Sequence, residues 1–370
     1  MTINVSEHDI VCKQDCKQSG GNHPARFPLA GVAGGKSATF MAMGQSILVA
    51  RDDNGQAHAT TVSTPEDGWG DDGVLLRVKY SSLNYKDALA LAGNPGVIRQ
   101  WPLVPGIDAV GEVVEDPTGR FTPGEMITVN GGGLGERRHG GYTDLVRIPA
   151  EAAVRLGDIS PLTAAQLGTA GYTAALAVLA LQESGALALQ LPIAVTGATG
   201  GVGSIACVLL AGLGVKVHAL TRRPEQYGDY LRELGVAEVI DSATLPTTPK
   251  PLERARFAGA VDSVGDTQLS YLLAATADNG TVSACGLAQG ATLHTTVMPF
   301  ILRGVRLQGI NSVTQPLHRR EQAWQLLASS GAAANVASFS ETIPLLAVHK
   351  AGEQLLAGTR HGRLVVDIHG

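Results

Sequence analysis

Cysteine is scarce in this chain of 370 residues. The four that occur, Cys12, Cys16, Cys207 and Cys285, are too few and too scattered for a disulfide framework or a four-cysteine zinc site. Cys12 and Cys16 have only His23 nearby, so they lack the second pair of ligands that a structural zinc ion needs. This cysteine usage favours a cytoplasmic protein.

An excess of positive charge and a long hydrophobic run are also missing. The formal net charge of -5 and the pI of about 6.1 predict no nucleic-acid partner and no anionic membrane surface. The longest apolar stretches, such as 170–181, are shorter than the roughly 20 residues that cross a bilayer, so we expect no membrane span.

What the sequence does contain is a large apolar fraction, 44%, and 46 glycines that gather at turns. A chain of this length predicts two domains. Residues 1–43 carry little periodic hydrophobicity and are interpreted as a flexible extension. Residues 44–165 predict a small β-barrel-like domain whose rim loops carry the substrate pocket, with short strands at 46–50, 74–80, 107–115, 126–130 and 143–148.

Strands and helices alternate along residues 166–315, which predicts an α/β domain with a doubly wound parallel sheet. Its helices are expected at 202–213, 225–234 and 268–277, and its strands at 193–196, 215–220, 238–241, 260–264, 281–285 and 305–310. Residues 316–370 predict helices near 321–328 and 351–356 and a last strand at 363–368, and we expect this segment to return to the first domain.

A glycine-rich loop at 197–203 follows an apolar strand and runs directly into a helix. Gly201, Gly203 and Ala206 have the spacing of a dinucleotide-binding turn, in which glycines admit a pyrophosphate and the helix N-terminus faces it. An ordinary turn is the alternative. The context after a strand and before a helix favours nucleotide binding.

The second strand of this domain ends at Thr221, Arg222 and Arg223, where an NAD-specific fold has an acidic residue for the ribose hydroxyls. Two guanidinium groups instead suit the 2′-phosphate of NADPH, although arginines at a solvated strand end are the alternative. The sequence predicts NADPH as cofactor.

Five motifs resemble the medium-chain dehydrogenase/reductase superfamily, and within it the zinc-free, quinone oxidoreductase-like branch of acrylyl-CoA reductases. They are Ser-Ser-Leu-Asn-Tyr-Lys-Asp-Ala at 81–88, Pro-Gly-Ile-Asp-Ala-Val-Gly at 105–111, Gly-Thr-Ala-Gly-Tyr-Thr-Ala at 168–174, Ala-Cys-Gly-Leu-Ala at 284–288 and Met-Pro-Phe-Ile-Leu-Arg-Gly at 298–304. The resemblance covers 45–368. It departs from the branch at Gly132 and His139, where relatives tend to carry aromatics, and at 221–223, which lacks the usual central glycine.

The resemblance implies a GroES-like catalytic domain, a Rossmann NADPH-binding domain and a homodimer. It places Tyr85 beside the nicotinamide and Asn84 and Asp87 around it as orienting residues. The remaining cofactor contacts that it implies are Thr199, Gly200, Gly201 and Val202 at the pyrophosphate, Thr221, Arg222 and Arg223 at the adenosine phosphate, and Leu287, Ile301 and Ser312 along the cleft.

Residues 81–88 contain neither cysteine nor histidine, so the zinc ligands of the superfamily's alcohol dehydrogenases are missing from this motif. Without a Lewis acid, conjugate reduction asks less of the protein than ketone reduction, because hydrogen-bond donors can hold the developing enolate. Tyr85 then steers a proton or binds substrate or ribose, and the alternative is a packed aromatic. A CoA thioester also needs positively charged residues at the mouth of the cleft, and the candidates are Lys86, Arg137, Arg138 and Arg303.

Three functions remain open on these grounds. The first is NADPH-dependent reduction of an α,β-unsaturated carbonyl, above all acrylyl-CoA to propionyl-CoA. The second is reduction of quinones or alkenals on the same scaffold. The third is NADPH binding without catalysis.

Overall fold

The computed structural model describes residues 44–370, and the expected extension at 1–43, with Cys12 and Cys16, lies outside the described residues. Three sheets form the frame. A two-stranded antiparallel sheet pairs β1 (Gln45–Arg51) with β2 (Ala57–Ser63). The other two sheets have seven and six strands.

The seven-stranded sheet has the order β14-β15-β3-β4-β5-β7, with β6 also paired to β3. Its apolar residues, from Val74 on β3 to Val366 on β15, close around one core. The strands are β3 (Val74–Ser82), β4 (Asp108–Glu115), β5 (Met126–Asn130), β6 (Leu145–Ile148), β7 (Ala153–Arg155), β14 (Ser340–Pro344) and β15 (Arg363–Asp367). Helix α1 (Tyr85–Leu91) follows β3.

The six-stranded sheet has the order β10-β9-β8-β11-β12-β13, and every pair in it is parallel. Its strands are β8 (Ile193–Thr196), β9 (Val217–Thr221), β10 (Glu238–Asp241), β11 (Phe257–Asp262), β12 (Thr276–Ala284) and β13 (Arg306–Gly309). The crossover helices are α3 (Gly201–Gly212), α4 (Pro224–Glu233), α5 (Asp266–Ala275) and α6 (Met298–Arg303). The predicted doubly wound Rossmann sheet is confirmed, because the order reverses at β8.

Three further helices, α7 (Leu317–Ser329), α8 (Ala332–Asn335) and α9 (Val348–Leu356), come before the last strand. β15 then pairs antiparallel with β3, so Val365 lies opposite Ser82 at the end of that strand. The C-terminal segment thereby reaches the strand that leads into α1.

Several elements have no counterpart in the sequence prediction, among them β2, β7, β14 and α1. β2 is largely exposed and rich in threonine and alanine, β14 has one buried residue and ends in proline, and β7 has three residues. The alternation of apolar and polar residues in these strands is too weak or too short to identify them from the sequence. α1 is a two-turn helix capped by Asn84 and Asp87, a length at which periodicity gives no signal.

Helix α2 (Pro161–Glu183) joins the two larger sheets and is kinked at Gly168, whose φ of 51° and ψ of -156° break the helix. By length and composition alone α2 could cross a membrane, but 83% of its apolar window is buried inside the fold. It packs against β3, β4, β5 and β15 of the seven-stranded sheet and against α3 and β12 of the six-stranded domain. α2 is therefore the central core helix.

The kink gives a prediction for Gly168→Ala. A Cβ at this position lies 2.5 Å from Ser82 Oγ, 2.7 Å from Asp108 Oδ2 and 2.8 Å from Arg363 Nη2, in a backbone conformation that L-residues rarely adopt. We expect urea denaturation to show a loss of about 3 kcal/mol or more. The matched control is Gly185→Ala. Gly185 has a φ of 80°, and no atom of the described residues lies within 4 Å of an added Cβ, so we expect a loss of about 1 kcal/mol. Equal losses in the two variants would contradict this account of the kink.

Candidate active site and cofactor cleft

The carboxylate of Asp108, at the start of β4, is the centre of a buried polar cluster. Its oxygens accept hydrogen bonds from the hydroxyl of Ser82, from Asn84 Nδ2 at 2.8 Å and from Asn130 Nδ2 at 2.7 Å. They also accept from the backbone N–H and the hydroxyl of Thr169, the first residue after the kink of α2. One side chain thus holds the ends of β3 and β5, the first turn of α1 and the second half of α2 together.

Asp87 lies fully buried in the first turn of α1. Its oxygens accept from the backbone N–H of Asn84 at 2.9 Å, from Asn84 Nδ2 at 3.0 Å and from the backbone N–H of Ile107 at 2.8 Å. These bonds cap α1 and tie it to the turn before β4. Burial and the neighbouring Asp108 raise the pKa of Asp87 to about 7, and its N–H donors limit the rise.

Asn84 connects this cluster to Arg363 at the start of β15. Arg363 is 3% exposed; its Nη1 donates to Asn84 Oδ1 at 3.1 Å and its Nε donates to the carbonyl of Gln166 at 2.7 Å. A Cβ on Gly201 would lie 3.0 Å from Arg363 Nη1, so the guanidinium packs directly against the first residue of α3. The Asn84–Arg363 pair therefore joins the turn that carries Tyr85 to the glycine-rich loop.

Tyr85 begins α1, and its side chain is 51% exposed. Among the described residues its hydroxyl has no hydrogen-bond partner. The ring therefore lies at the surface, at the first residue of α1, and is not packed in the core.

The glycine-rich loop runs from the end of β8 into α3. A Cβ on Gly203 would collide with the carbonyl oxygen of Gly197 and lie 2.6 Å from Ala198 Cα, so the helix passes the loop at the closest distance that glycine allows. The N-cap residue of α3 is Gly200, which is exposed and has no side chain to cap the helix. Gly201 and Val202 beside it are half-buried. The N-terminus of α3 is left open to an anion.

Thr221 ends β9, and Arg222 and Arg223 follow it as exposed side chains. Arg223 Nη1 donates to the carbonyl of Gly358 at 3.0 Å, and the guanidinium lies 4.8 Å from the centre of the Tyr227 ring. The backbone N–H of Gly362 donates to the carbonyl of Thr199 at 3.0 Å. The segment 358–362 therefore touches both the arginine pair and the glycine-rich loop.

Leu287 and Ser312 follow β12 and β13, so topology puts both at the carboxyl edge of the sheet with the glycine-rich loop. Ser312 is brought against the 131–141 loop, because the backbone N–H of Gly132 donates to the carbonyl of Val313 at 3.2 Å. Ile301 differs. It lies on α6, 70% exposed, and no described contact brings it to the glycine-rich loop.

The two departures in the 131–141 loop have structural roles. Gly132 has a φ of 61°, and a Cβ there would lie 2.7 Å from Ala152 Cβ, so the position favours glycine. His139 Nδ1 accepts from the backbone N–H of Val104 at 3.1 Å, and its ring lies 4.8 Å from that of Trp69. Burial lowers the pKa of His139.

Of the candidate cations for a CoA thioester, three have partners inside the protein. Arg303 donates to the carbonyls of Ala274, Thr276 and Glu253, which makes it a structural residue. Lys86 pairs with Glu136 and Arg138 pairs with Asp72. Arg137 is exposed and has no polar partner within residues 44–370.

Sequence reasoning missed Arg363 and the central position of Asp108. Asp108 stood in a recognised motif, but its bonds to residues 24 and 61 positions away carry no local signal. Arg363 is separated from Asn84 by 279 positions. Within the described part of the chain, no group of three or more His, Cys, Asp or Glu residues could hold a metal ion.

The pKa of Asp87 gives a prediction about stability. Since the folded protein holds this proton up to about pH 7 and the unfolded chain releases it near pH 4, the folded state binds more protons between these values. The extra proton bound by Asp87 therefore adds to the free energy of unfolding in full below about pH 4. This stabilisation is lost as pH rises to 7, by up to about 4 kcal/mol. Asp87→Asn, which cannot titrate, should show a flatter profile of unfolding free energy in this window by chemical denaturation. Parallel profiles of the two proteins would contradict the raised pKa.

Comparison with known proteins places the chain in a family. A model described as "Alcohol dehydrogenase GroES-like domain" matches residues 70–158, and one described as "Zinc-binding dehydrogenase" matches 201–329. The chain is 39% identical over 326 residues to the probable acrylyl-CoA reductase AcuI of Escherichia coli, which covers 88% of this chain and 100% of that protein.

Two further relatives agree in sequence and structure. The crystal structure of E. coli YhdH with bound NADPH has 39% identity and a TM-score of 0.83, covering 87% of this chain and 99% of that one. The putative quinone oxidoreductase YhfP of Bacillus subtilis is 40% identical over 279 residues, covering 75% of this chain and 84% of that protein. Its structure, with NAD bound, has a TM-score of 0.81 and covers 88% and 99% of the two chains. The chain belongs to the medium-chain dehydrogenase/reductase superfamily, in the zinc-free branch that contains the AcuI acrylyl-CoA reductases and YhfP.

Proposed function

We propose that this protein reduces the carbon–carbon double bond of an α,β-unsaturated thioester with NADPH, taking acrylyl-CoA to propionyl-CoA. The observation that carries the proposal is the buried junction at Asn84, which fixes the Tyr85 turn against Arg363 and, through it, against Gly201. The residues that would hold a nicotinamide cofactor at α3 are therefore fixed relative to the Tyr85 turn. The name of the E. coli relative supports the choice of substrate.

The residues present fit NADPH. The uncapped N-terminus of α3 offers backbone N–H groups and a positive dipole end to a pyrophosphate, and the near contact at Gly203 leaves no side chain in the way. When bound, NADPH supplies the hydride. Thr199, Gly200, Gly201 and Val202 would hold the pyrophosphate, Thr221, Arg222 and Arg223 would meet the 2′-phosphate, and Leu287 and Ser312 would line the cleft.

Tyr85 is the residue that meets the substrate. Its hydroxyl has no hydrogen-bond partner within residues 44–370, so it can donate to the thioester or guide a proton to the α-carbon as charge develops on the enolate oxygen. Asn84 and Asp87 act as positioning residues, because they cap the helix that Tyr85 begins. Quinone or alkenal reduction is the second candidate, supported by the likeness to YhfP.

The domain division that fits this activity is a catalytic unit of 44–165 completed by 316–370, and a cofactor unit of 166–315. The six parallel strands fall between Ile193 and Gly309, and the two last strands join β3. We place the protein in the cytoplasm, on its cysteine usage.

We also propose a homodimer that forms along β13. This strand is the edge of the six-stranded sheet and is exposed along its whole length, and Ile301 and Leu302 on α6 beside it are 70% and 58% exposed. Open edges and apolar patches of this kind are usually covered by a partner. Sedimentation velocity should give the mass of a dimer, and a monomer at micromolar concentration would contradict it.

The test of the function is steady-state kinetics with NADPH and NADH against acrylyl-CoA and benzoquinone, with propionyl-CoA identified by mass spectrometry. We expect acrylyl-CoA to be reduced with a kcat/KM at least about tenfold higher for NADPH than for NADH. Turnover of the quinone alone would favour the second candidate. Cofactor binding with no turnover of either would mean a binding protein.

Tyr85→Phe should lower kcat for acrylyl-CoA by about 100-fold, because it removes the hydroxyl that guides the proton, and its exposure should leave the fold intact. Tyr80→Phe is the matched control. Its hydroxyl also has no partner in the described structure, and it lies within β3 and not on α1, so we expect less than about a twofold change. An unchanged kcat in Tyr85→Phe would remove this residue from the chemistry.

A further inference from the structure

The segment just before the last strand, 358–362, contributes more to the cofactor cleft than backbone contacts. It approaches the arginine pair through Gly358, whose carbonyl accepts from Arg223 at 3.0 Å. It approaches the glycine-rich loop through Gly362, which donates to the Thr199 carbonyl at 3.0 Å. Residues 359–361 therefore lie between the expected positions of the 2′-phosphate and the pyrophosphate.

His361 is the side chain of this segment that packs on the α4 tyrosines, one of which Arg223 also contacts. Its ring centre lies 5.1 Å from that of Tyr227 and 5.2 Å from that of Tyr230. Arg223 packs on the same Tyr227 ring, 4.8 Å from its centre. Tyr227 thus carries the imidazole and the guanidinium together on α4.

The tyrosines that contact the His361 ring are themselves fixed in the fold. The Tyr230 hydroxyl shares a 2.7 Å hydrogen bond with the hydroxyl of Ser204 on α3, and the Tyr230 ring packs edge-on against Phe339 at 6.5 Å. The aromatic pair that flanks the imidazole is therefore anchored to the helix that begins at the glycine-rich loop. A side chain held in this way loses little freedom when it binds a ligand.

The hydrogen-bonding capacity of His361 is unused. The residue is exposed, and within residues 44–370 neither of its ring nitrogens has a partner. The adjacent Arg360 is different, because it pairs with Glu341 and Gln354 and is not available. Arg222 is exposed and also has no polar partner in the described structure.

We propose that His361 is a specificity-determining residue that donates a hydrogen bond to the 2′-phosphate of the cofactor, opposite the Arg222–Arg223 pair. A phosphate monoester has three acceptor oxygens, and one imidazole N–H with two guanidinium groups supplies donors from both sides. NADH, which carries a hydroxyl at this position, gains little from the same donor. The inference rests on the proposed use of NADPH and names a residue that the strand-end motif does not include.

The test measures binding of the adenosine end alone, by isothermal titration calorimetry of the full chain with 2′,5′-ADP and with 5′-AMP. The variant is His361→Phe, which keeps a ring between Tyr227 and Tyr230 and removes both nitrogens. We expect its Kd for 2′,5′-ADP to rise about five- to tenfold and its Kd for 5′-AMP to change less than twofold. The melting temperature of the variant should stay within a few degrees of wild type.

The outcomes separate the two claims. If the wild-type protein binds 2′,5′-ADP no better than 5′-AMP, the proposed choice of NADPH fails. If the wild-type protein prefers 2′,5′-ADP and His361→Phe keeps that preference in full, His361 has no part in it and the inference fails. His361→Gln, which retains an N–H donor, should restore part of the preference if the hydrogen bond is the cause, and no restoration would count against it.

Discussion

The buried carboxylate of Asp108 is the interaction on which the rest of the site depends. It accepts hydrogen bonds from four residues that come from β3, the α1 cap, β5 and the kink of α2. β3, β4 and β5 are already neighbours in the sheet, and the carboxylate adds the α1 cap and α2 to them. A charged acceptor buried with this many donors is favourable only while all of them are present, so the cluster forms as a unit.

Arg363 also depends on this cluster. Its guanidinium is buried beside Asp108 and Asp87, which oppose the lowering of its pKa by burial. Because the same group packs on Gly201 and bonds to Asn84, the charge balance of the cluster fixes the distance between the cofactor loop and the Tyr85 turn. Electrostatic interactions in the interior thus hold the glycine-rich loop at a fixed distance from the Tyr85 turn.

The sequence predicted those features whose cause is local. The strand, glycine loop and helix at 193–212 could be read because the spacing of Gly201 and Gly203 is itself the structural requirement, and the alternation that follows it predicted the Rossmann sheet. Features whose cause is tertiary were missed. In the sequence, Arg303 is a candidate ligand-binding cation. In the structure, its partners are carbonyls of α5, β12 and the segment before β11, which no local pattern reveals. β14 is likewise defined by its pairing with β15 and not by its own hydrophobicity.

The most direct measurement is the unfolding free energy of Asp108→Asn, compared with Asp116→Asn, a partly exposed aspartate whose bonds are local. The asparagine at 108 turns an N–H₂ group toward donors and removes the negative charge that favours the buried Arg363 guanidinium. The account predicts a loss on the order of 3–5 kcal/mol for Asp108→Asn and about 1 kcal/mol or less for the control. A loss at position 108 no larger than that of the control would contradict the claim that this carboxylate holds the site together.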